Sequence, residues 1–175
     1  MKGLFHIYTG EGKGKTTAAL GLALRAYGQG FKILYCQFLK SGDSGEYKGL
    51  DLFNDNLTVI KSQPVRGFIW NMQPEERERI CQEQSDLFAK VVSQAETGEY
   101  NLVILDEAVL AYELGILKTE EVQRFIQNRP QTLELVFTGR GNSQDLIALA
   151  DYVSEIVKIK HPYDQGIEMR KGIEY

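Results

Sequence analysis

The residues best suited to chemistry form a run near the amino terminus, Gly10-Glu11-Gly12-Lys13-Gly14-Lys15-Thr16-Thr17. The apolar, β-prone stretch Leu4-Phe5-His6-Ile7-Tyr8 precedes it, and the helix-forming stretch Ala18 to Arg25 follows it. Strand, glycine loop and helix in that order are the setting of a phosphate-binding loop. The glycines let the backbone curl so that several N–H groups meet one anion, and the helix dipole adds to them. Lys15 is placed to reach the outer phosphates, and the Thr16 hydroxyl to meet Mg²⁺. The general pattern G-x-x-x-x-G-K-[ST] asks for glycine where this chain has Thr9; Gly10 comes one residue late, and the loop is correspondingly short.

Other residues fit around such a loop. Asp106-Glu107 closes the apolar run Leu102-Val103-Ile104-Leu105. It reads either as a Walker B element whose carboxylate holds Mg²⁺, directly or through water, or as an acid pair at a helix start. Arg140, between Gly139 and Gly141, reads as a polyphosphate contact or as a surface arginine in a turn; Arg25 reads as a phosphate contact folding back or as a solvated helix residue. Phe68 and Trp70 share a loop with Pro64, Arg66 and Asn71. They either plug the core or present a flat apolar surface to a large planar ligand, and the residues alone leave both readings open.

These side chains need a scaffold, and hydrophobic periodicity supplies one. The first helix is expected to end near Tyr27, before Gly28 and Gly30. A buried strand is expected over 31–39, then a polar loop from Lys40 to Glu46. A short helix carrying Tyr47, Leu50 and Phe53 follows, with a third strand over 57–60. Pro74 opens a long helix with Glu75 and Glu76 in its first turn, ended by Gly98. After the strand 102–105 come a short helix stopping at Gly115, a helix capped by Thr119, a strand over 133–137, a helix capped by Asn142 or Ser143, and a strand over 152–159. Alternating strands and helices predict a doubly wound, mostly parallel α/β sheet in a single domain over 1–175. In such sheets ligands bind beyond the carboxyl ends of strands. The glycine loop, the 40–46 loop, Asp106-Glu107 and the 138–141 loop all lie there.

Bulk properties narrow the partners. The chain has 175 residues, 43% hydrophobic and 25% charged, with net charge -4, so it carries no basic footprint for nucleic acid. No apolar run is long enough to span a bilayer, and the absence of a leader-like segment points to the cytoplasm. Two cysteines, Cys36 and Cys81, and two histidines, His6 and His161, form no metal or redox motif and read as structural.

Together these motifs resemble the ATP:corrinoid adenosyltransferases of the CobA/BtuR type, along almost the whole chain. The resemblance rests on Thr9 to Ala19, Ala23 to Gly28, Gln37-Phe38-Leu39-Lys40, Gly45-Glu46, Gly67-Phe68-Ile69-Trp70 and Leu105-Asp106-Glu107. It continues in Arg129-Pro130, Thr138 to Gly141, Lys160 to Gly166 and Lys171 to Tyr175. The short glycine loop belongs to that family's pattern. The resemblance implies a RecA-like P-loop fold and transfer of the 5′-deoxyadenosyl group from ATP to corrinoid Co(I), with release of triphosphate. It implies Lys15 and Arg140 on the triphosphate, Mg²⁺ on Thr16 with Asp106 or Glu107, and Phe68 and Trp70 at the corrinoid, displacing its lower axial ligand. It further implies a homodimer and a reduced flavin or flavodoxin-like electron donor. Two departures stand out. Better-known members carry an extension before the first strand, whose absence here implies a more open site. Glu11 stands where some members have asparagine, and its carboxylate is expected to face away from the phosphates. Two other readings share the loop and Asp106-Glu107: a small-molecule or nucleoside kinase releasing ADP, and an ATP-gated corrinoid-binding protein.

Overall fold

The strands of the sheet's interior are apolar on both faces, which demands cover on both sides. The computed structural model describes residues 1–39, 45–63, 65 and 72–174, with the backbone alone for Gly45, Leu52 and Asn54. Its strands are β1 (Phe5–Thr9), β2 (Ile33–Gln37), β3 (Leu57–Lys61), β4 (Leu102–Asp106), β5 (Glu134–Thr138) and β6 (Tyr152–Glu155). They form one six-stranded sheet in the order β3-β2-β4-β5-β1-β6, and every pairing is parallel. Helices α1 (Lys15–Gly28), α2 (Gly45–Leu50), α3 (Pro74–Ala95), α4 (Ala108–Glu113), α5 (Thr119–Asn128) and α6 (Gln144–Leu149) connect them, with 3₁₀ turns over Asp51–Asn56 and Pro162–Gln165. This is the doubly wound α/β arrangement expected from the alternation of elements.

The pleat divides the core in two. Ile33, Tyr35, Leu102, Ile104 and Val136 face α1 and α2, where Ala19, Ala23 and Ala26 let α1 approach the sheet closely. Leu34, Cys36, Val103, Leu105, Leu135 and Phe137 face the helices α3 to α6, against Phe88, Val91, Val122 and Phe125. Each fully buried aliphatic or aromatic side chain in these layers contributes about 1.5–3 kcal/mol.

Two strands are shorter than periodicity predicts, for identifiable reasons. The 31–39 stretch is extended only over Ile33–Gln37. Lys32 instead exchanges hydrogen bonds with Asn101, and Leu39 turns into the left-handed region at φ 57°. The 152–159 stretch pairs only over Tyr152–Glu155. Beyond it Ile156 still donates its N–H to Thr9 O at 2.8 Å, but its carbonyl accepts from Gly12 N at 2.7 Å, so the chain turns onto the glycine loop. Capping differs at α5, where Lys118, not Thr119, holds the cap position. Ser143 holds the cap position of α6, one of the two residues expected there, without a side-chain bond to the helix backbone. The long helix ends at Ala95, before Gly98.

Both histidines make hydrogen bonds within the fold. His6 Nε2 lies 2.5 Å from Glu134 Oε1, and Glu134 Oε2 also accepts from Leu4 N at 2.9 Å, tying β1 to β5 at the sheet end remote from the glycine loop. His161 Nδ1 accepts from Tyr163 N and caps a 3₁₀ turn. Cys36 is buried in the core, where burial pushes its thiol pKa up.

Candidate active site

In a parallel sheet the last residue of each strand comes to one level, and here those residues are polar. Gln37 ends β2, Asp106 ends β4 and Thr138 ends β5, and Gln37 sits in register with Asp106. All three are completely buried. A carboxylate at that depth persists only with donors around it. Asp106 Oδ1 accepts from Thr16 Oγ1 at 2.7 Å and from Thr138 Oγ1 at 2.5 Å, and Oδ2 accepts from Gln37 Nε2 at 2.5 Å. The Gln37 amide also reaches the buried Tyr35 hydroxyl at 3.3 Å. The first helix, β4 and its two neighbouring strands therefore meet on one carboxylate.

The glycine loop wraps the start of α1. Gly10 (φ 102°) and Gly14 (φ 125°) take backbone conformations that other residues rarely adopt. The cap position of α1 is Gly14, which has no side chain to offer its first-turn amides, and helix starts of this kind are where anions bind. One loop amide is committed elsewhere, since Gly12 N donates to Ile156 O. A Cβ at Gly12 would stand 2.7 Å from that same carbonyl, so residue type and hydrogen bond together pin the loop to the chain beyond β6. Lys15 Nζ donates to Gly10 O at 2.7 Å and to Gly12 O at 2.9 Å. Partial burial lowers its pKa below that of an ordinary lysine; Arg140 adds to the fall, and the charges of Glu107, Glu11 and Asp106 oppose it.

Glu107 is held in the left-handed region at φ 60°, ψ 15°, as the cap of α4, with its N–H donating to Thr138 Oγ1 at 3.1 Å. Such strain in a non-glycine residue occurs mostly at functional sites. The two carboxylates divide. Asp106 engages the Thr16 hydroxyl, whereas Glu107 is the strongest charged influence on Lys15. Arg140 Nη1 lies 3.3 Å from Glu11 Oε2. Lys13 is on the loop's exposed side, within electrostatic range of Glu174. That carboxylate is pushed down to about 2, chiefly by hydrogen bonds from the Arg170 side chain and backbone.

The structure brings together Gly10, Glu11, Gly12, Gly14, Lys15, Thr16, Asp106, Glu107 and Arg140. Thr17 follows in the first turn of α1. Arg25 is exposed in the last turn of α1, ten residues past Lys15 and so about 15 Å along the axis, and the structure does not bring it to the loop. Phe68, Trp70 and the 40–44 part of the polar loop lie outside the described residues. The entrance to that loop is visible at Leu39, whose N–H donates to the buried Gln84 Oε1 at 3.2 Å. Sequence reasoning missed Gln37 and Thr138 as partners of Asp106. The available signal was a polar residue closing an apolar run, Gln37 after Ile33 to Cys36 and Thr138 after Leu135 to Phe137.

The donors suit Mg²⁺, a hard cation that takes few protein oxygens and completes its shell with water and substrate phosphates. Thr16 Oγ1 and Asp106 Oδ1 stand 2.7 Å apart at the foot of the phosphate loop. Groups of three or more candidate metal-binding acids, histidines or cysteines are absent among the described residues. Among those residues no helix is long and apolar enough to cross a membrane.

Comparisons with known proteins identify the family. Residues 1–175 match the family model described as ATP:corrinoid adenosyltransferase BtuR/CobO/CobP. The chain is similar to the corrinoid adenosyltransferase of Escherichia coli strain K12, 34% identical over 176 residues, covering 99% of this chain and 86% of that protein. It is 33% identical to the Pseudomonas aeruginosa corrinoid adenosyltransferase, over 99% of this chain and 84% of the relative. It is likewise 33% identical to the corrinoid adenosyltransferase CobA of Salmonella typhimurium, over 99% and 86%. A glycine loop, a buried acid at the adjacent strand end and a match along the entire chain place it: this protein belongs to the ATP:corrinoid adenosyltransferase family.

Proposed function

We propose that this chain, acting as a single domain over 1–175, transfers the 5′-deoxyadenosyl group of ATP to the Co(I) of a corrinoid. The observation that carries the reading is the family match over residues 1–175, joined to a phosphate loop whose lysine, threonine and buried aspartate converge. In the reaction the Co(I) electron pair attacks C5′ of the ribose. A Co–C bond forms, the C5′–O bond breaks, and its electrons leave on triphosphate. Atoms and charge balance with no proton moved by the protein, which suits a site whose described residues include no catalytic histidine. The protein's tasks are alignment of the two substrates and stabilisation of charge on the leaving group.

The triphosphate lies on Gly10 to Thr17, with Lys15 exchanging its two loop carbonyls for phosphate oxygens. Arg140 reaches over from the 138–141 loop. Thr16 with Asp106 or Glu107 would hold Mg²⁺. When bound, the ion neutralises charge on the departing triphosphate. Phe68 and Trp70 meet the corrinoid and displace its lower axial ligand, which makes Co(II) easier to reduce. Electrons come from a reduced flavin or a flavodoxin-like protein, in the cytoplasm. The test is anaerobic: protein, ATP, Mg²⁺ and chemically reduced corrinoid are mixed, the corrinoid spectrum is followed and the phosphate product identified. A light-sensitive alkyl–cobalt product with triphosphate is expected; ADP and an unchanged corrinoid would overturn the reading. Under flavin-driven reduction, Phe68→Ala and Trp70→Ala are expected to lose turnover per folded molecule while ATP binding is kept. Equal turnover in both would return these aromatics to a packing role.

The enzyme acts as a homodimer. Supporting this, β6 is the sheet's outer strand with both faces exposed, and Tyr152, Val153, Val157 and Ile159 are exposed apolar residues on it and in the tail. An open, apolar edge is a surface that a second copy covers readily. Ile159 is 94% exposed. Ile159→Glu is expected to shift sedimentation from dimer towards monomer while the circular-dichroism spectrum stays that of the folded chain. A wild-type monomer at tens of micromolar would dismiss the dimer.

A further inference from the structure

We infer that Glu11 is a built-in competitor for Arg140. Its carboxylate occupies the guanidinium at the loop's exposed side until a polyphosphate displaces it, and recaptures it as the polyphosphate leaves. The inference rests on the proposed reading of the loop as a triphosphate site.

The backbone around both residues is fixed, so the pairing belongs to the fold. Gly139 (φ 141°) donates its N–H to Tyr8 O at 3.2 Å, and Gly141 (φ 147°) accepts from Thr9 Oγ1 at 2.5 Å. A Cβ on Gly139 would meet Leu110 N at 2.8 Å, and one on Gly141 would meet the Glu113 side chain at 2.5 Å. Arg140 is thus mounted on an anchored turn, one strand away from the loop that carries Glu11. Their side chains meet at 3.3 Å while remaining 61% and 65% exposed. Both also act on the phosphate lysine: Glu11 raises the Lys15 pKa and Arg140 lowers it. The pair therefore lies within the field of the group that would receive phosphate.

Magnitude decides what such a pair can do. An exposed single-contact ion pair is weak and screened. Guanidinium binding to phosphate is stronger and can be bidentate. Glu11 consequently tunes the site without closing it. It occupies Arg140 when the loop is empty, lowers affinity for the arriving polyphosphate by a small factor, and assists release of the triphosphate product by the same factor.

Calorimetric titration with inorganic triphosphate at fixed ionic strength tests this on wild type, Glu11→Gln, Glu11→Asp, Arg140→Met and the double variant Glu11→Asp/Arg140→Met. Aspartate keeps the charge but is one methylene too short to hold the guanidinium. Both Glu11→Gln and Glu11→Asp are expected to tighten triphosphate binding roughly two- to fivefold. The gain from Glu11→Asp is expected to vanish when Arg140 is methionine. Tightening by glutamine alone would mean plain charge repulsion and would overturn the competitor role. So would unchanged affinity in both variants, or an equal gain without Arg140. Failure of wild type and every variant to bind triphosphate would instead remove the phosphate-site reading, and this inference with it.

Discussion

Replacing Lys15 with alanine is expected to lower kcat/KM for ATP by roughly 10²- to 10³-fold, the cost of removing one preorganised donor from a developing negative charge. Folding should be barely affected. Among the described residues the ammonium bonds two loop carbonyls, Gly10 O and Gly12 O, and this partly exposed loop lets water replace it. A change in melting temperature of more than a few degrees would show that Lys15 is structural first. The pH dependence is a second check. Burial lowers the Lys15 pKa in the folded chain, below the usual 10.5 of the unfolded one. Between those two values the unfolded state binds more protons, so this lysine's contribution to stability rises with pH. Phosphate affinity moves the opposite way, because the neutral amine attracts no anion. Triphosphate binding at alkaline pH should accordingly take up protons, seen as a dependence of binding heat on buffer ionisation. Binding without proton uptake across that range would mean that Lys15 stays fully charged.

Asp106→Asn is expected to be nearly as costly for activity, roughly 10²-fold or more, but through the metal. The carboxylate charge that attracts Mg²⁺ is lost, so the Mg²⁺ concentration giving half-maximal rate should rise steeply. The fold should survive. Asparagine can present its oxygen to Gln37 Nε2 and its NH₂ to Thr16 and Thr138, whose hydroxyls can rotate to accept. Asp106→Ala lacks that escape. It leaves the amide of Gln37 and the hydroxyl of Thr138 buried with a partner gone, at about 1–3 kcal/mol each. An asparagine variant with an unchanged Mg²⁺ requirement would move the metal role to Glu107; one as unstable as the alanine variant would mean that the buried charge itself holds the strand ends together.

Much of this protein was legible in its residues, because local rules and global fold agree. Pro74 with Glu75 and Glu76 starts α3, and continuous apolar runs make β4 and β5. Where two elements competed for the same groups, the reading failed. Residues 152–159 have the composition of one strand, yet pairing stops at Glu155 because the Ile156 carbonyl goes to the Gly12 amide. Thr119 looks like a helix cap, yet Lys118 takes the position, since a cap is defined by where the chain enters the helix and not by the best capping side chain nearby.

The sequence by itself determined the parallel α/β order, the glycine loop on the first strand, the acid at the end of β4 and the family to which these motifs belong. Each is written in a continuous stretch, within reach of local periodicity and spacing. Only the tertiary structure decided which residues share the site. Gln37 and Thr138 join Asp106 because β2 and β5 flank β4 in the sheet, an adjacency that no local pattern encodes. Arg140 meets Glu11 because β1 lies beside β5, 129 positions apart in the chain but one strand apart in space. Hydrogen-bonded strand order converts distance along the chain into proximity, and at this site that proximity sets which charges compete.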